Sequence, residues 1–378
     1  MFWGHPRRKK AGDGYFDDIY TDPLISLFGE RESFSIEAPY LWRHLRPRRH
    51  RRTYHADSVL VLAHLLTFFR IVRVNGPTRA LARSVSQEVA SVFGNDYGTE
   101  ESVLKAGVDL KAKRFAFRLL LSWLRPHKVV AVNAYGCPGL ILAARDLRIP
   151  TAELQHGVIT AYHLGYAVAR GERLQTAADS LLLFGEYWQR VATFGVADEK
   201  LIILGFPYFE LEQKAFTDIQ KTRKVVFVSQ GTVGAELSMF AVRVARDLAP
   251  NLRVVYKLHP GEKDRWRHEY PWLVAARGSE QIEVIEGDQP SLYSLFAQSS
   301  WVCGVNSTAI FEAIGFGCAP VIVKLPGHEQ MQPLIKDRIA KLVSVDDPFP
   351  VETGVAKNLV DDLFRPGSQD RFLSFIHS

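Results

Sequence analysis

Cysteine is scarce in this chain. The three cysteines, Cys137, Cys303 and Cys318, lie in apolar segments of the 378-residue sequence and show no paired spacing. This distribution excludes a disulfide-stapled scaffold and a cysteine-based zinc site. It also favours a reducing compartment, because thiols stay unpaired there.

Long hydrophobic runs are missing as well. The longest mostly apolar stretch, Val59–Phe69, is far shorter than the roughly 20 residues that a membrane-spanning helix needs. The N-terminal segment MFWGHPRRKK is basic and has no apolar stretch behind it, so it does not match a secretory signal. We therefore expect a cytoplasmic protein.

Several familiar catalytic motifs are absent. The sequence has neither a Walker-type phosphate loop nor a GxGxxG fingerprint, which disfavours ATP and NAD as ligands. It also lacks the Gly-x-Ser-x-Gly nucleophile elbow, which argues against an α/β-hydrolase. No nearby pair of histidines or carboxylates has the spacing of metal ligands, so we expect no essential metal.

What the chain does have is the composition of a folded protein with a local excess of positive charge. Hydrophobic residues make up 47% and charged residues 23%, and 378 residues suit two domains. Six arginines and no acid fall within one short run, at Arg43, Arg46, Arg48, Arg49, Arg51 and Arg52. This run could contact the anionic inner face of the cytoplasmic membrane, and a solvated loop is the alternative. No nucleic-acid-binding motif accompanies it, so we expect no nucleic acid partner.

Strands and helices alternate from Val129 onward. This pattern predicts an α/β protein with parallel sheets, divided into an N-terminal domain at 1–215 and a second domain at 216–355. Residues 356–378 are expected to form closing helices, for which packing back on the N-terminal domain is one option. Residues 1–110 resemble no family that we can name, although Ser58–Arg73 and Leu81–Phe93 have helical patterns, and no buried strand is found before Tyr15. The N-terminus is therefore atypical or truncated.

Three turns should meet at one edge of the second sheet. They follow predicted strands at Ser229–Gly234, His259–Gly261 and Asn306–Thr308. The last of these opens a helix, whose free N–H groups and positive dipole end suit a phosphate. Glu312 lies one helical turn further on, where it could bind ribose hydroxyls. An ordinary N-capped helix is the alternative. The donor-site residues predicted here are Gln230, Gly231, Thr232, His259, Pro260, Asn306, Ser307, Thr308 and Glu312. The flanking side chains of Lys257, Glu262 and Lys263 are expected to be solvated.

A second histidine follows a predicted strand in the first half of the chain. His156 comes directly after the strand Thr151–Leu154, and a neutral imidazole there could take a proton from a bound hydroxyl. His163 lies in the same loop, and Glu153 could orient or replace either histidine. A structural histidine in a strand-to-helix loop is the alternative for both.

Two segments carry a resemblance to a known family. KLHPGE (Lys257–Glu262) and NSTAIFEAIGFGCAPVIV (Asn306–Val323) resemble the C-terminal half of GT-B glycosyltransferases that build bacterial surface polymers. The nearest groups are polysialyltransferases, β-Kdo transferases and CDP-glycerol glycerophosphotransferases. The resemblance covers about Val129 to Met331.

The resemblance implies a fold and a set of roles. It implies two Rossmann-like parallel-sheet domains that face each other across a cleft, with the acceptor on the N-terminal side. It implies that His259 and Ser307/Thr308 bind donor phosphates and that Glu312 binds the ribose. Gln155–Gly157 is similar to the WHG motif of the glycerophosphotransferases, which makes His156 the catalytic base, although Gln replaces Trp.

The function expected from this resemblance is glycosyl transfer. The donor would be a nucleotide-activated sugar or polyol phosphate, the acceptor a glycan or lipid-linked glycan, and the pathway capsule or O-antigen synthesis. No cofactor is expected beyond the donor itself, and both inversion and retention of configuration stay open. The alternatives are a UDP-sugar 2-epimerase and a non-catalytic GT-B-like protein of an assembly complex.

Overall fold

The computed structural model describes residues 1–29, 31–279, 281–287, 289–352, 354–355 and 357–377. Within these residues the chain forms two parallel sheets of seven and six strands, each covered by helices. None of the described helices is both long and apolar enough to cross a bilayer.

The first sheet is built by the N-terminal half. Its seven strands are all parallel and lie side by side in the order β5-β4-β1-β6-β7-β8-β9. Their bounds are β1 Phe2–Trp3, β4 Ser35–Glu37, β5 Thr53–His55, β6 Val129–Val132, β7 Thr151–Leu154, β8 Ser180–Leu183 and β9 Leu201–Ile203. Two further short strands, β2 Lys9–Lys10 and β3 Phe16–Asp17, form an antiparallel pair beside this sheet.

A buried strand opens the chain, so the expectation of none before Tyr15 was wrong. Phe2 and Trp3 are 3% and 7% exposed and lie between β4 and β6 in the middle of the sheet. Two residues are too few to produce the alternating or apolar pattern by which strands are found in a sequence.

Among the described residues, seven α-helices accompany the first sheet. They are α1 Asp22–Ile25, α2 Asp57–Phe68, α3 Gly76–Phe93, α4 Thr99–Leu124, α5 Pro138–Asp146, α6 Tyr187–Arg190 and α7 Pro207–Ala215. Small residues let α4 approach its neighbours closely, because Ala112 and Ala116 are fully buried among α2 and α5. The helix α6 is only a single turn, and Phe194 just beyond it forms a bridge with Ala167.

The second sheet has the same topology. Its strands lie in the order β12-β11-β10-β13-β14-β15 and are all parallel. Their bounds are β10 Thr222–Val228, β11 Arg253–Lys257, β12 Ile282–Ile285, β13 Ser299–Gly304, β14 Ala319–Val323 and β15 Lys341–Val343. In chain order the second sheet therefore runs 3-2-1-4-5-6, which is the Rossmann order, and the first sheet runs 3-2-1-4-5-6-7, which is the same order with one more strand at its edge. In such sheets the ligand crevice lies where the order reverses, between β1 and β6 and between β10 and β13.

In the part of the chain that the structure describes, eight α-helices follow β10. They are α8 Gly234–Asp247, α9 Trp266–Glu269, α10 Pro271–Ala276, α11 Leu292–Gln298, α12 Thr308–Gly315, α13 Gln332–Lys336, α14 Lys357–Leu363 and α15 Ser368–His377. The last two return to the first half of the chain. Trp188 Nε1 donates to the carbonyl of Leu363 over 2.8 Å, and the Phe372 ring lies 6.0 Å from that of Phe2.

Candidate functional site

The three turns of the second sheet are joined by hydrogen bonds. β10 is paired with β11 on one side and β13 on the other, so their carboxyl ends are neighbours. Gln230 Oε1 accepts from the backbone N–H of Asn306 over 2.8 Å, which ties the first turn to the third. Arg265 donates to the carbonyls of Gly231 and Gly261, both over 3.2 Å, which ties the first turn to the second. Thr232 is exposed at the same edge.

His259 lies at this edge with one ring nitrogen free. Both His259 and Pro260 are exposed, and they begin a short 3₁₀ helix, Pro260–Glu262. The His259 Nδ1 accepts from the N–H of Gly261 over 3.1 Å. A neutral His259 therefore carries its proton on Nε2, where it can donate to an anion outside the protein.

Glu262 is an internal support, so the expectation that it is solvated was wrong. Its side chain is fully buried and accepts from Ser229 Oγ over 2.8 Å, Tyr270 OH over 2.6 Å and the His259 N–H over 2.6 Å. Lys257 is also buried, at 9% exposure, whereas Lys263 is exposed as expected. The Glu262 carboxylate thus fixes the ends of β10 and β11 relative to each other.

The third turn opens α12. Ser307 caps this helix, and its Oγ accepts from the N–H of Ala309 over 3.2 Å, which leaves its own proton free to donate. Thr308 is the first helical residue, and both side chains are partly exposed. Together they offer two hydroxyl donors at a positive helix end, an arrangement that suits a phosphate.

Glu312 follows one turn later beside residues from the other half of the chain. Burial raises its pKa to about 7, and a hydrogen bond from Tyr293 and the charge of Lys9 partly oppose that rise. The Lys9 ammonium donates to Tyr208 OH over 2.8 Å and lies 5.3 Å from the centroid of the Tyr293 ring. The predicted ribose carboxylate is therefore enclosed by two tyrosines and a lysine.

A chain of hydrogen bonds ends at His156 in the first sheet. The Tyr166 hydroxyl donates its one proton to Glu153 Oε1 over 2.7 Å. In the 3.2 Å hydrogen bond between Tyr166 OH and His156 Nδ1, the imidazole N–H must therefore be the donor and the hydroxyl oxygen the acceptor. His156 Nε2 then carries the lone pair, which lies 3.2 Å from the Tyr135 hydroxyl. The imidazole is thus oriented as a proton acceptor from the cleft side.

The environment keeps His156 neutral. Burial, together with the charges of His5 and His163, lowers its pKa to about 4. Burial also raises the pKa of Glu153 to about 7, against hydrogen bonds from Tyr166 and the Ala134 N–H. A half-buried, neutral and oriented imidazole can act as a base at pH 7 without first losing a proton.

His163 occupies a different position from His156. Its Nδ1 accepts from the N–H of Gly165 over 3.2 Å, and its ring lies 5.4 Å from the Tyr135 ring. His163 therefore stabilises its own loop and packs on Tyr135, and the Tyr135 side chain in turn contacts His156.

The two predicted sites face each other. A β-carbon added to Gly157, the residue after His156, would lie 3.6 Å from Thr308 Oγ1. The loop with the imidazole and the turn with the hydroxyls are thus in van der Waals range across the cleft.

Three residues of this region were missed in the sequence. The ring of His5 lies 6.4 Å from that of His156, and Tyr20 OH donates to the His156 carbonyl over 2.6 Å. Lys9 reaches Tyr208 of the helix that leads to the second sheet. All three follow β1, and without a visible strand nothing in the sequence indicated that they line the cleft.

The arginine run is not the uniformly solvated patch that the sequence suggested. Arg48 forms a salt bridge with buried Glu37, and Arg49 binds Asp17 over 2.8 Å and Asp13 over 3.1 Å. Arg46 contacts His55 over 3.2 Å. The acids that pair with the run lie elsewhere in the sequence, so their proximity could not be seen from the run itself.

The same network argues against a cation at a histidine cluster. Glu37, His44 and His55 place one ligand-type atom each within 4.8 Å of one another. Both Glu37 oxygens already accept from guanidinium groups of Arg8 and Arg48. These positive charges would repel a metal ion, so the donor set is a poor fit to one.

Comparison with known proteins shows likeness in structure only. No family model and no curated protein sequence matches the chain. The structure of UDP-GlcNAc 2-epimerase from Methanocaldococcus jannaschii superposes over 100% of this chain and 98% of its own, with a TM-score of 0.58 and 11% identity. The fold is GT-B-like. MurG of Acinetobacter baumannii is less similar, with a TM-score of 0.47 and 14% identity over 72% of this chain and 79% of its own.

At this identity the GT-B-like fold says where a ligand would lie and nothing about which ligand. The crevice that such a fold opens between its two sheets is lined here by the three turns of the second sheet and by the His156 loop of the first. The chemistry must therefore be argued from these side chains.

Proposed function

We propose that the protein is a glycosyltransferase of the GT-B type. It would move a sugar or polyol phosphate from a nucleotide-activated donor to a glycan or lipid-linked glycan in the synthesis of a capsule or O-antigen polysaccharide. The proposal places the donor against the second sheet and the acceptor against the first, on the cytoplasmic side of the membrane.

One observation carries the proposal. The imidazole of His156 is oriented by Tyr166 and Tyr135, and the next residue, Gly157, lies against Thr308 of the hydroxyl-bearing turn. A base for the acceptor and a cradle for a leaving phosphate are thus carried by adjoining loops, where a sugar bound beside them could contact both.

The donor phosphates would be held without a metal. His259 Nε2, the hydroxyls of Ser307 and Thr308, and the N-terminal end of α12 can all donate to phosphate oxygens. These donors stabilise the negative charge that grows on the phosphate as the glycosidic bond breaks. Glu312 would accept from the ribose hydroxyls at the next turn, and no further cofactor is needed.

The acceptor would be activated by His156. Its Nε2 takes the proton of the acceptor hydroxyl while that oxygen forms a bond to the sugar carbon. The bond from this carbon to the phosphate oxygen breaks, and its electron pair leaves with the nucleotide. Tyr166 and Glu153 stabilise the imidazolium that results, because the Glu153 carboxylate lies one hydroxyl away.

A UDP-sugar 2-epimerase is the second candidate, because the neighbour that spans the whole chain is a UDP-GlcNAc 2-epimerase. Such chemistry requires carboxylates in the cleft to abstract a proton from the sugar. Glu153 is 5% exposed and is bound by Tyr166 and the Ala134 N–H, so it is poorly placed for that task. The site geometry therefore favours transfer.

A turnover assay separates the two activities. The protein is incubated with nucleotide sugars, each with and without a panel of oligosaccharide acceptors, and the products are analysed by mass spectrometry and NMR. We expect free nucleotide and an extended acceptor only when both substrates are present. Conversion of a UDP-sugar to its 2-epimer without any acceptor would replace this proposal with the epimerase.

A further inference from the structure

The loop between β4 and β5 carries an unusual turn. Tyr40 and Arg43 exchange two backbone hydrogen bonds, of 2.8 and 3.0 Å, around the two-residue tip Leu41–Trp42. Both tip residues have positive φ, 47° for Leu41 and 64° for Trp42. Tight turns of this kind normally use Asn and Gly, because a large side chain is disfavoured in the left-handed region.

The tip points two large apolar side chains into solvent. Leu41 is 74% exposed and Trp42 is 96% exposed. Single exposed apolar residues are common on protein surfaces, but two adjacent ones held in a disfavoured backbone conformation call for a reason beyond folding.

The surroundings of the tip are positively charged. Arg43, Arg46 and Arg51 are exposed in the same loop. The acids packed against this loop are paired, since Glu37 is buried beneath arginines, Asp17 is bound by Arg49 and Asp57 contacts His44. An apolar tip in an arginine-rich loop complements a surface that is anionic outside and apolar beneath.

The tip lies at the cleft side of the first sheet. His44, two residues beyond Trp42, contacts Asp57 over 2.8 Å just past the carboxyl end of β5. β4, which leads into the turn, is the direct neighbour of β1, whose end carries His5. Neighbouring strands are about 4.8 Å apart, so the tip is within a few strand widths of the proposed acceptor side.

We propose that Leu41 and Trp42 insert into the headgroup boundary of an anionic lipid bilayer, while Arg43, Arg46 and Arg51 contact lipid phosphates. Tryptophan is favoured at this boundary because its ring is apolar and its N–H is polar. Insertion of the tip into the bilayer does not depend on the catalytic role. That the inserted tip would also bring a lipid-linked acceptor to the cleft rests on the proposed function.

The test uses flotation of the full chain with vesicles of phosphatidylcholine alone and of phosphatidylcholine with about one third phosphatidylglycerol. Trp42→Gly removes the ring and also suits the positive φ, so we expect its thermal midpoint to equal or exceed that of the wild type. Its affinity for the anionic vesicles should fall by about tenfold or more. The matched control, Trp123→Ser on α4, removes a 79% exposed tryptophan outside the loop and should bind like the wild type.

Three results would overturn the proposal. The first is that Trp42→Gly binds the anionic vesicles as tightly as the wild type does, and the second is that the wild type does not bind them. The third is that the wild type is a dimer and Trp42→Gly is a monomer, which would assign the tip to contact with a second copy of the chain. Nucleotide-induced stabilisation should be the same in wild type and Trp42→Gly. If no nucleotide stabilises either, the proposed function fails while the membrane result stands.

Discussion

Replacing His156 by alanine is expected to lower kcat by about 10²–10⁴-fold, the usual contribution of a positioned general base. Nucleotide affinity should be unchanged, because His156 lies on the acceptor side and contacts Tyr135 and Tyr166. The measurement is a steady-state assay of acceptor extension together with nucleotide binding by calorimetry.

His163→Ala is the matched control for this prediction. It removes the same kind of side chain from the same loop, but one that contacts Gly165 and the Tyr135 ring. Its kcat should fall by less than tenfold. Equal losses in the two variants would mean that the loop fold, and not the His156 proton acceptor, is what activity needs.

The pH profile gives a second view of the same group. A base must be unprotonated to act, and burial lowers the pKa of His156 to about 4 from an ordinary 6.5. The acid limb of kcat/KM should therefore lie below about pH 5, so activity is retained as the pH falls through 6.5. A limb at 6.5 would indicate a solvated histidine instead.

Replacing Glu262 by alanine is expected to reduce the free energy of unfolding by about 4 kcal/mol, since a buried polar group left without its partner costs about 1–3 kcal/mol. Ser229, Tyr270 and the His259 N–H all donate to this carboxylate and would lose their acceptor together. Nucleotide stabilisation should weaken as well, because the turns that carry Gln230 and His259 would lose their common anchor.

Urea denaturation of Glu262→Ala, Glu262→Gln and Lys263→Ala measures this effect. Glutamine keeps an acceptor oxygen and should lose less stability than alanine. Lys263 is the exposed neighbour, and its alanine variant should stay within about 0.5 kcal/mol of the wild type. A Glu262→Ala protein as stable as Lys263→Ala would show that the carboxylate does not hold the strand ends together.

The second sheet could be predicted from the sequence because its strands are apolar and its turns are distinctive. β10 and β13 each bury several consecutive residues, and the Ser307 cap and Gly317, with φ of 77°, mark the ends of α12. Each of these signals is local, so each is readable without knowledge of the fold.

The first half of the site depends on contacts between distant residues. β1 has two residues, and its neighbours in the sheet come from positions 35 and 130. Glu262 gave the pattern of a solvated flank because two of its three donors, Ser229 after β10 and Tyr270 after α9, are brought to it only by the fold. The residues around Arg48 in the sequence do not indicate its salt bridge, because its partner Glu37 is 11 positions away and buried. Pairing of this kind is set by topology and leaves no trace in residue spacing.

The proposed function requires the cleft edge of the second sheet to bind the phosphates of a nucleotide. The most direct measurement is the thermal midpoint of unfolding with CMP, CDP, UDP, GDP and their sugars, for wild type, His259→Ala, Thr308→Val and the control Lys263→Ala. A ligand at 100 times its Kd stabilises a folded protein by about 2.7 kcal/mol, which is a shift of several degrees. We expect such a shift with one nucleotide for wild type and Lys263→Ala, and a clearly smaller one for the other two variants. No shift with any nucleotide, or equal shifts in all four proteins, would contradict it.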